Sequence, residues 1–357
     1  MAVSQRTGVT VAVTGASGYI ASRVIDSLLD DERVDRVLGF DIAPERKTRS
    51  SSKYVFDQID VRNPHLQARI AGVDVVIHLA FIMDPIRDEA EMRDVNVNGT
   101  QNLFRCAGKS GVRKVIYPSS ATVYGAHPDN DFPLTEESPL RANLDFSYPA
   151  HKLETEYVVR EIREEFPDLI VTSFRTAIVF GPNVDNAWSH LLELPTLIGV
   201  QGYSPPLQFV HEDDVGDALA FAVFEDLDGP YNLAAEGWLD YHDIVSIVGK
   251  KRLALPEPIA FQVSERLWGL GMAEAPAGLL HYVMHPWVMS TEKLAAAGFK
   301  CRRSNRETFT AAVERTSTRV RLGRTSVDKG RLRIGALAGA GLLAGLMVWR
   351  GTRHADA

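Results

Sequence analysis

Cysteine is scarce in this sequence. Of 357 residues only Cys106 and Cys301 carry a thiol. They lie too far apart to form a metal-ligand spacing, no disulfide framework is possible, and a reducing compartment is expected. A basic surplus is also missing: 39 Lys and Arg stand against 46 Asp and Glu, a formal net charge of −7. That removes the electrostatic ground for a nucleic-acid partner. No charged-then-apolar leader opens the chain, so no secretory signal is expected. There are no internal repeats, and long apolar runs are absent until the very end. What remains is a body 45% hydrophobic and 24% charged. That suits a globular core built as one large α/β domain or two lobes.

The exception is the terminal run IGALAGAGLLAGLMVW, residues 334–349, which carries no charge. As a helix it would span about 24 Å, short of the ~30 Å hydrocarbon core, though flanking residues could extend it and Arg350 and Arg353 could snorkel. Gly335/Gly339 and Gly341/Gly345 give small-xxx-small pairs suited to packing in lipid. Residues 315–333 hold seven basic residues and the single acid Asp328. The expectation is a basic linker over 316–333 and an apolar, membrane-contacting helix over 334–349, with the body on the cytoplasmic face. A terminal helix packed on the body or on a second copy is the competing reading.

Elsewhere short β-branched runs alternate with amphipathic stretches. VTVAVTG (9–15), RVLGFDI (36–42), VDVVIHLA (73–80), RKVIYPSS (113–120) and LIVTSFRTAIVFGP (169–182) read as strands. Residues 18–29, 95–108 and 151–166 read as helices. This alternation argues for a parallel sheet covered on both faces. After 182 prolines break the pattern, and a smaller lobe is expected over 183–315, with the stretch around 205–235 returning to the first unit.

Two places carry chemistry. The stretch VTGASGYIA (13–21) follows a strand and opens a helix. Gly15 permits a sharp turn, Gly18 lets the backbone approach a diphosphate, and Ala21 is small enough for close helix–strand packing. The helix N-terminus then faces the anion. Asp41 ends the second strand, where a carboxylate accepts the adenosine ribose hydroxyls of NAD and repels the extra phosphate of NADP; Arg46, Lys47 and Arg49 nearby weaken that preference. At the other place Tyr148 and Lys152 stand four apart on one helix face. YPSSATVYG (117–125) ends the preceding strand and offers hydroxyls to the same sheet edge.

These pieces together resemble the extended short-chain dehydrogenase/reductase family, in its NAD-dependent epimerase/dehydratase branch. TGASGYIA, Asp41, IDV (59–61), HLA (78–80), NVNGT (96–100), SSATVYG (119–125), YPAHK (148–152), FGP (180–182) and FVHEDDV (209–215) come in the family's order. The resemblance implies an α/β, Rossmann-type doubly wound parallel sheet over 1–182 with a smaller C-terminal substrate lobe. It implies NAD bound by Gly15, Gly18, Tyr19 and Ile20, with Asp60 and Val61 bracketing adenine, Leu79 and Ala80 along the diphosphate–ribose path, and Asn96 on the cofactor side. Ser120 becomes the substrate-orienting hydroxyl, assisted by Thr122; Tyr148 the acid/base; Lys152 the group on the nicotinamide ribose. A lysine ammonium and a positive ring would lower the phenol's pKa and make it a usable base. The helices at 95–108 and 151–166 are those that build a four-helix homodimer interface in the family.

The substrate is a small molecule whose class stays open. Nucleotide-sugar members place an asparagine three positions after the fifth-strand arginine; after Arg175 that position is Ile178. An arginine two positions before the FVH run is replaced by Leu207. A nucleotide sugar held by other residues, such as Arg141 or His190, is the leading reading, in an enzyme of the epimerase/dehydratase type. Both replacements are apolar and resemble the hydroxysteroid-dehydrogenase-like or reductase-like branches, so a hydrophobic hydroxy or keto compound is the alternative. A non-catalytic NAD-binding scaffold or sensor is the reading that the Ser-Tyr-Lys set argues against. His78 is expected to be a satisfied core histidine. His211 with Glu212, Asp213 and Asp214 is expected to cap a helix rather than bind metal. Trp238 and Trp287 are expected to pack.

Overall fold

The structure is a computed structural model that describes residues 8–322 and 325–328. Strands β1 (Val9–Thr14), β2 (Val34–Asp41), β3 (Tyr54–Gln58), β4 (Val75–His78), β5 (Lys114–Ser120) and β6 (Ile170–Thr176) come first. The short β7 (Ile178–Phe180), β8 (Leu197–Val200) and β9 (Phe209–His211) follow, then β10 (Gly229–Leu233) and β11 (Arg252–Leu255). One seven-stranded sheet has the order β10-β6-β5-β4-β1-β2-β3, parallel at every step. Its central strands are buried on both faces, which is why they read as near-continuous apolar runs.

Helices α1 (Tyr19–Asp30), α2 (Leu66–Arg69), α3 (Glu89–Arg93), α4 (Gly99–Lys109) and α5 (Ser147–Glu165) precede the second half. There α6 (Ala187–Glu193), α7 (Glu212–Phe224), α8 (Tyr241–Val248), α9 (Glu257–Gly269), α10 (Glu292–Ala296) and α11 (Asn305–Ser317) follow. Helix α1 buries Ala21, Val24, Ile25 and Leu28, spaced at three and four, with Val215 and Leu219 of α7 in the same core. Leu103 and Phe104 of α4 join Val158, Val159 and Ile162 of α5 in a second core. Each fully buried aliphatic or aromatic side chain contributes about 1.5–3 kcal/mol, so the sheet is held from both sides.

Several sequence expectations change. The apolar run 169–182 is two strands, not one. The chain leaves the main sheet at Ala177, whose N–H bonds Leu233 O at 3.0 Å, and Ile178–Phe180 pairs instead with Phe209–His211. The two outermost strands, β3 and β10, were not legible: YVFDQ and GPYNL are short, half polar, and in β10 interrupted by Pro230, which an edge strand tolerates. Helix α5 starts at Ser147 rather than at 151. The linker expected over 316–333 begins as structure: α11 runs to Ser317, and β12 (Arg319–Leu322) pairs antiparallel with β13 (Thr325–Asp328). The apolar segment 334–349 lies outside the described residues; no described helix is long and apolar enough to cross a membrane.

Candidate functional site

Strand order reverses between β1 and β4, and the carboxyl ends of these two neighbours open the crevice where ligands bind in such sheets. Gly15 sits there at φ +67°. A Cβ on it would lie 2.7 Å from Ala80 N and from Leu79 C, so only glycine fits between the two strand ends. Gly18 caps α1 in extended backbone (φ −72°), with no acidic residue in the helix's first turn. Free N–H groups and the dipole's positive end therefore face the crevice. Asp41 closes the turn: its carboxylate accepts from Ser17 N at 2.9 Å and Ala43 N at 2.8 Å. Lys47 and Arg49 are both paired with Asp26 of α1, Arg49 also with Glu45. Two of the three nearby cations are thus already neutralised.

The second half of the site comes from β5 and α5. Ser120 ends β5, and its Oγ accepts from Thr122 N at 3.2 Å and from Thr122 Oγ1 at 2.9 Å. Tyr148 and Lys152 share one face of α5. Lys152, 4% exposed, donates to Pro118 O at 2.8 Å and Tyr117 Oη at 3.1 Å, and its Nζ lies 3.6 Å from the Phe81 ring centroid. Burial pulls its ammonium down to about 7, opposed by the Glu156 carboxylate. Burial raises the Tyr148 phenol above its ordinary value, a hydrogen bond with Ser120 lowers it, and the Asp84 carboxylate raises it again. The Lys152 ammonium is turned to Tyr117 and Pro118, and lies 5.9 Å from the Tyr148 ring centroid.

Behind these residues lies a buried polar cluster that sequence reasoning missed. Glu156, one turn beyond Lys152, accepts from Ser119 Oγ at 2.5 Å, from Ser173 Oγ at 3.1 Å and from Arg175 Nη2 at 3.1 Å. Ser119 and Arg175 face each other in register across β5 and β6. The spacing of four from Lys152 to Glu156 is the signal that was available in the sequence.

One cavity of about 270 Å³ joins the two halves. Gly15, Gly18, Tyr19, Ile20 and Leu79 line it from the glycine turn; Ser120, Thr122, Tyr148, Lys152 and Ile178 line it from the other side. Asp41, Asp60, Val61, Ala80 and Asn96 do not line it. Asp60 is held by Arg62, with Nη2 to Oδ2 at 2.7 Å, and Val61 is buried against Gly99. Ala80 packs on Gly15. Asn96 is buried; it donates to Ile82 O at 2.9 Å and accepts from Ile82 N at 2.7 Å, so it fixes the loop after β4.

His78 has both ring nitrogens occupied, Nδ1 with Thr14 Oγ1 at 2.7 Å and Nε2 with Thr100 Oγ1 at 2.9 Å. Burial pulls it down to about 3, so it is a neutral core histidine. His211 caps α7, accepting from Asp213 N at 3.1 Å. Asp214 accepts from Arg302 N at 2.8 Å, which ties α7 to the segment before α11. Trp287 is buried but also lines the cavity, stacked on Trp188 at 6.0 Å. Trp238 packs on Phe132 away from it. Arg141 and His190 do not line it; they pair with Asp129 and Asp185.

The sequence model of the NAD dependent epimerase/dehydratase family matches residues 11–234. The chain belongs to this family, an enzyme class that uses NAD. An uncharacterized protein of Mycobacterium tuberculosis is 31% identical over 255 residues, covering 70% of this chain and 67% of its own. An Escherichia coli N-acetyl-α-D-glucosaminyl-diphospho-ditrans,octacis-undecaprenol 4-epimerase is 30% identical over 189 residues, 52% of this chain and 53% of that protein. Among solved structures, MoeE5 in complex with UDP-glucuronic acid and NAD superposes with a TM-score of 0.66 at 22% identity, covering 86% of this chain and 99% of that one. These superpositions establish the shared fold.

Proposed function

We propose that this chain catalyses reversible hydride transfer at a secondary alcohol or ketone, with Ser120, Tyr148 and Lys152 as the acting residues. The glycine turn fits NAD: its backbone lies against Leu79 and Ala80 with no side chain in the way, and Asp41 ends the strand beside it. Gly15, Gly18, Tyr19 and Ile20 would cradle the diphosphate, Asp41 the adenosine ribose, Asp60 and Val61 the adenine, and Lys152 the nicotinamide ribose. Asn96 serves this end indirectly, by holding the loop after β4. Bound NAD supplies the hydride acceptor and, once reduced, the donor.

The chain's own residues handle the proton. Ser120 Oγ and Tyr148 Oη converge on one substrate oxygen and fix its angle. In the reducing direction the phenol, kept protonated by burial, donates its proton to the ketone oxygen. In the oxidising direction the phenolate form of Tyr148 takes the proton from the alcohol. A ketone that turns over before reduction gives epimerisation; one that eliminates gives dehydration; one that leaves gives net oxidation. The observation that carries this reading is the single cavity lined by Gly15, Gly18, Ser120, Tyr148 and Lys152.

Tyr148→Phe tests it. Turnover should fall about 10²–10⁴-fold, the usual worth of a positioned acid/base, while calorimetric NAD affinity stays near wild type. Unchanged biological activity in that variant would instead favour a non-catalytic NAD-binding protein. A nucleotide sugar is the substrate reading favoured by MoeE5, whose complex holds UDP-glucuronic acid and NAD.

A further inference from the structure

Lys152 stands among aromatic rings. Its Nζ lies 3.6 Å from the Phe81 ring centroid, 4.6 Å from that of Tyr117 and 5.9 Å from that of Tyr148. All three fall within the ~6 Å at which a ring face attracts a cation, an attraction that grows where water is excluded. The Phe81 ring also meets the Tyr148 ring edge to face, with centroids 5.9 Å apart and planes at 87°. Phe81 thus packs against both acting residues of α5. Its backbone is fixed one residue further on, where the Asn96 side chain bonds both the N–H and the C=O of Ile82.

Tyr117 contributes an oxygen as well as a ring. Thr155 Oγ1 donates to Lys152 O at 2.8 Å, which uses its one proton. The 2.7 Å bond between Thr155 Oγ1 and Tyr117 Oη then carries the phenol's proton. That leaves the Tyr117 lone pairs to Lys152 Nζ, which donates to them at 3.1 Å. Burial keeps this phenol well above its ordinary value, so it stays a neutral acceptor. A second N–H of Lys152 goes to Pro118 O at 2.8 Å. An ammonium has three donors. Among the described residues Lys152 makes these two hydrogen bonds, so one donor is left for the coenzyme.

We infer that Phe81 and Tyr117 are positioning residues for Lys152, holding it charged and oriented so that one N–H reaches the nicotinamide ribose. This rests on the proposed hydride-transfer reading, which gives the ribose to Lys152. The titratable groups around the ammonium are Tyr148 and Glu156 from α5, Tyr117 from β5 and His78 from β4, with Asp84 of the loop after β4 lining the same cavity. Glu156 favours the charged form, and the neutral His78 adds no repulsion. Because burial already draws Lys152 down to about 7, a small further drop empties the ammonium at neutral pH.

Calorimetric NAD titrations of the full chain, at a series of pH values on both sides of neutrality, test this. Wild-type affinity should fall as pH rises and Lys152 loses its proton. In Lys152→Arg, which stays charged, that fall should vanish. Phe81→Leu and Phe81→Met, two ringless variants checked by their melting transitions, should move the midpoint down by about one pH unit. Phe81→Tyr keeps a ring and should restore it. Tyr117→Phe keeps the ring but loses the acceptor, and should also move the midpoint down by about one pH unit. A uniform fall in affinity at every pH with the midpoint unmoved is what lost packing alone gives. That result in the ringless variants or in Tyr117→Phe, a wild-type affinity indifferent to pH, or a pH dependence that persists in Lys152→Arg each overturn the inference. NAD binding by the wild type leaves the hydride-transfer reading standing in those cases, whereas absence of NAD binding at every pH overturns both.

Discussion

Glu156 and Arg175 meet as a buried ion pair 3.1 Å apart, with both side chains 6% exposed. The same carboxylate accepts from Ser119 and Ser173 and raises Lys152 against the pull of burial. The pair therefore joins β5, β6 and α5 where Ser120, Tyr148 and Lys152 must keep their spacing. Arg175 also donates to Tyr124 Oη and Glu136 O at 2.9 Å each, so the loop after β5 hangs on it.

Removing one partner leaves a buried charge alone, which costs about 3–5 kcal/mol. Arg175→Met should lower stability in urea by that order, and Glu156→Gln combined with it should recover much of the loss. Glu156→Gln alone has a second readout. Without the carboxylate Lys152 deprotonates at lower pH, so the pH at which NAD affinity weakens on alkalinisation should move down. A stability change with an unmoved pH profile would make the pair purely structural.

The glycines of the turn separate fold from binding. At Gly15 an added Cβ meets backbone at 2.7 Å and the φ is +67°, so Gly15→Ala should destabilise the protein as well as abolish NAD binding. At Gly18 the φ is −72° and the one close atom is Gly15 O at 3.1 Å. Gly18→Ala should therefore change stability by less than about 1 kcal/mol while NAD affinity falls at least tenfold. Equal affinity in Gly18→Ala and wild type would remove the diphosphate from this turn.

Much of this arrangement was legible in the chain. The glycine turn, Asp41, Ser120 and the Tyr148–Lys152 pair are local: each is a short motif on one strand end or one helix face, and local spacing survives folding. The central strands were legible because burial on both faces makes them uniformly apolar. Strands β3 and β10 were not, because edge strands bury less and keep polar residues and Pro230. The division of 169–182 at Ala177 was hidden because both pieces are apolar and only pairing with Phe209–His211 separates them. The spacing of four from Lys152 puts Glu156 on the face of α5 that carries the site, but its meeting with Arg175 joins elements that no local spacing connects. The rise of the Tyr148 phenol likewise has a tertiary cause, burial first and the Asp84 carboxylate of another loop after it.

His78 supplies a pH test. Its chain of bonds runs from Thr14 through the ring to Thr100, which donates to Asn96 O at 2.5 Å. Burial holds the ring neutral down to about 3, against an ordinary value of 6.5. Between those values the unfolded chain binds the proton and the folded one does not. Stability from this group is therefore full above pH 6.5 and is lost as pH falls towards 3. His78→Gln should be less stable at neutral pH, by about 1–3 kcal/mol for the broken bonds, yet show a shallower loss on acidification. Parallel wild-type and variant stability curves over that window would exclude the buried neutral ring as a source of the acid sensitivity.

Cofactor choice should rest on Asp41. Its carboxylate lies at the strand end where it would accept ribose hydroxyls, and a 2′-phosphate there would meet its negative charge. With Lys47 and Arg49 paired to Asp26, Arg46 is the one of these three basic residues with no carboxylate ion pair among the described residues. Asp41→Asn removes the charge and keeps one acceptor for the Ser17 and Ala43 N–H groups, so the turn should persist at a cost near 1 kcal/mol. NAD affinity should drop and NADP affinity rise, shrinking their ratio at least tenfold. Fluorescence titration with both reduced coenzymes measures this directly, and an unchanged ratio would place the discriminating contact elsewhere than on Asp41.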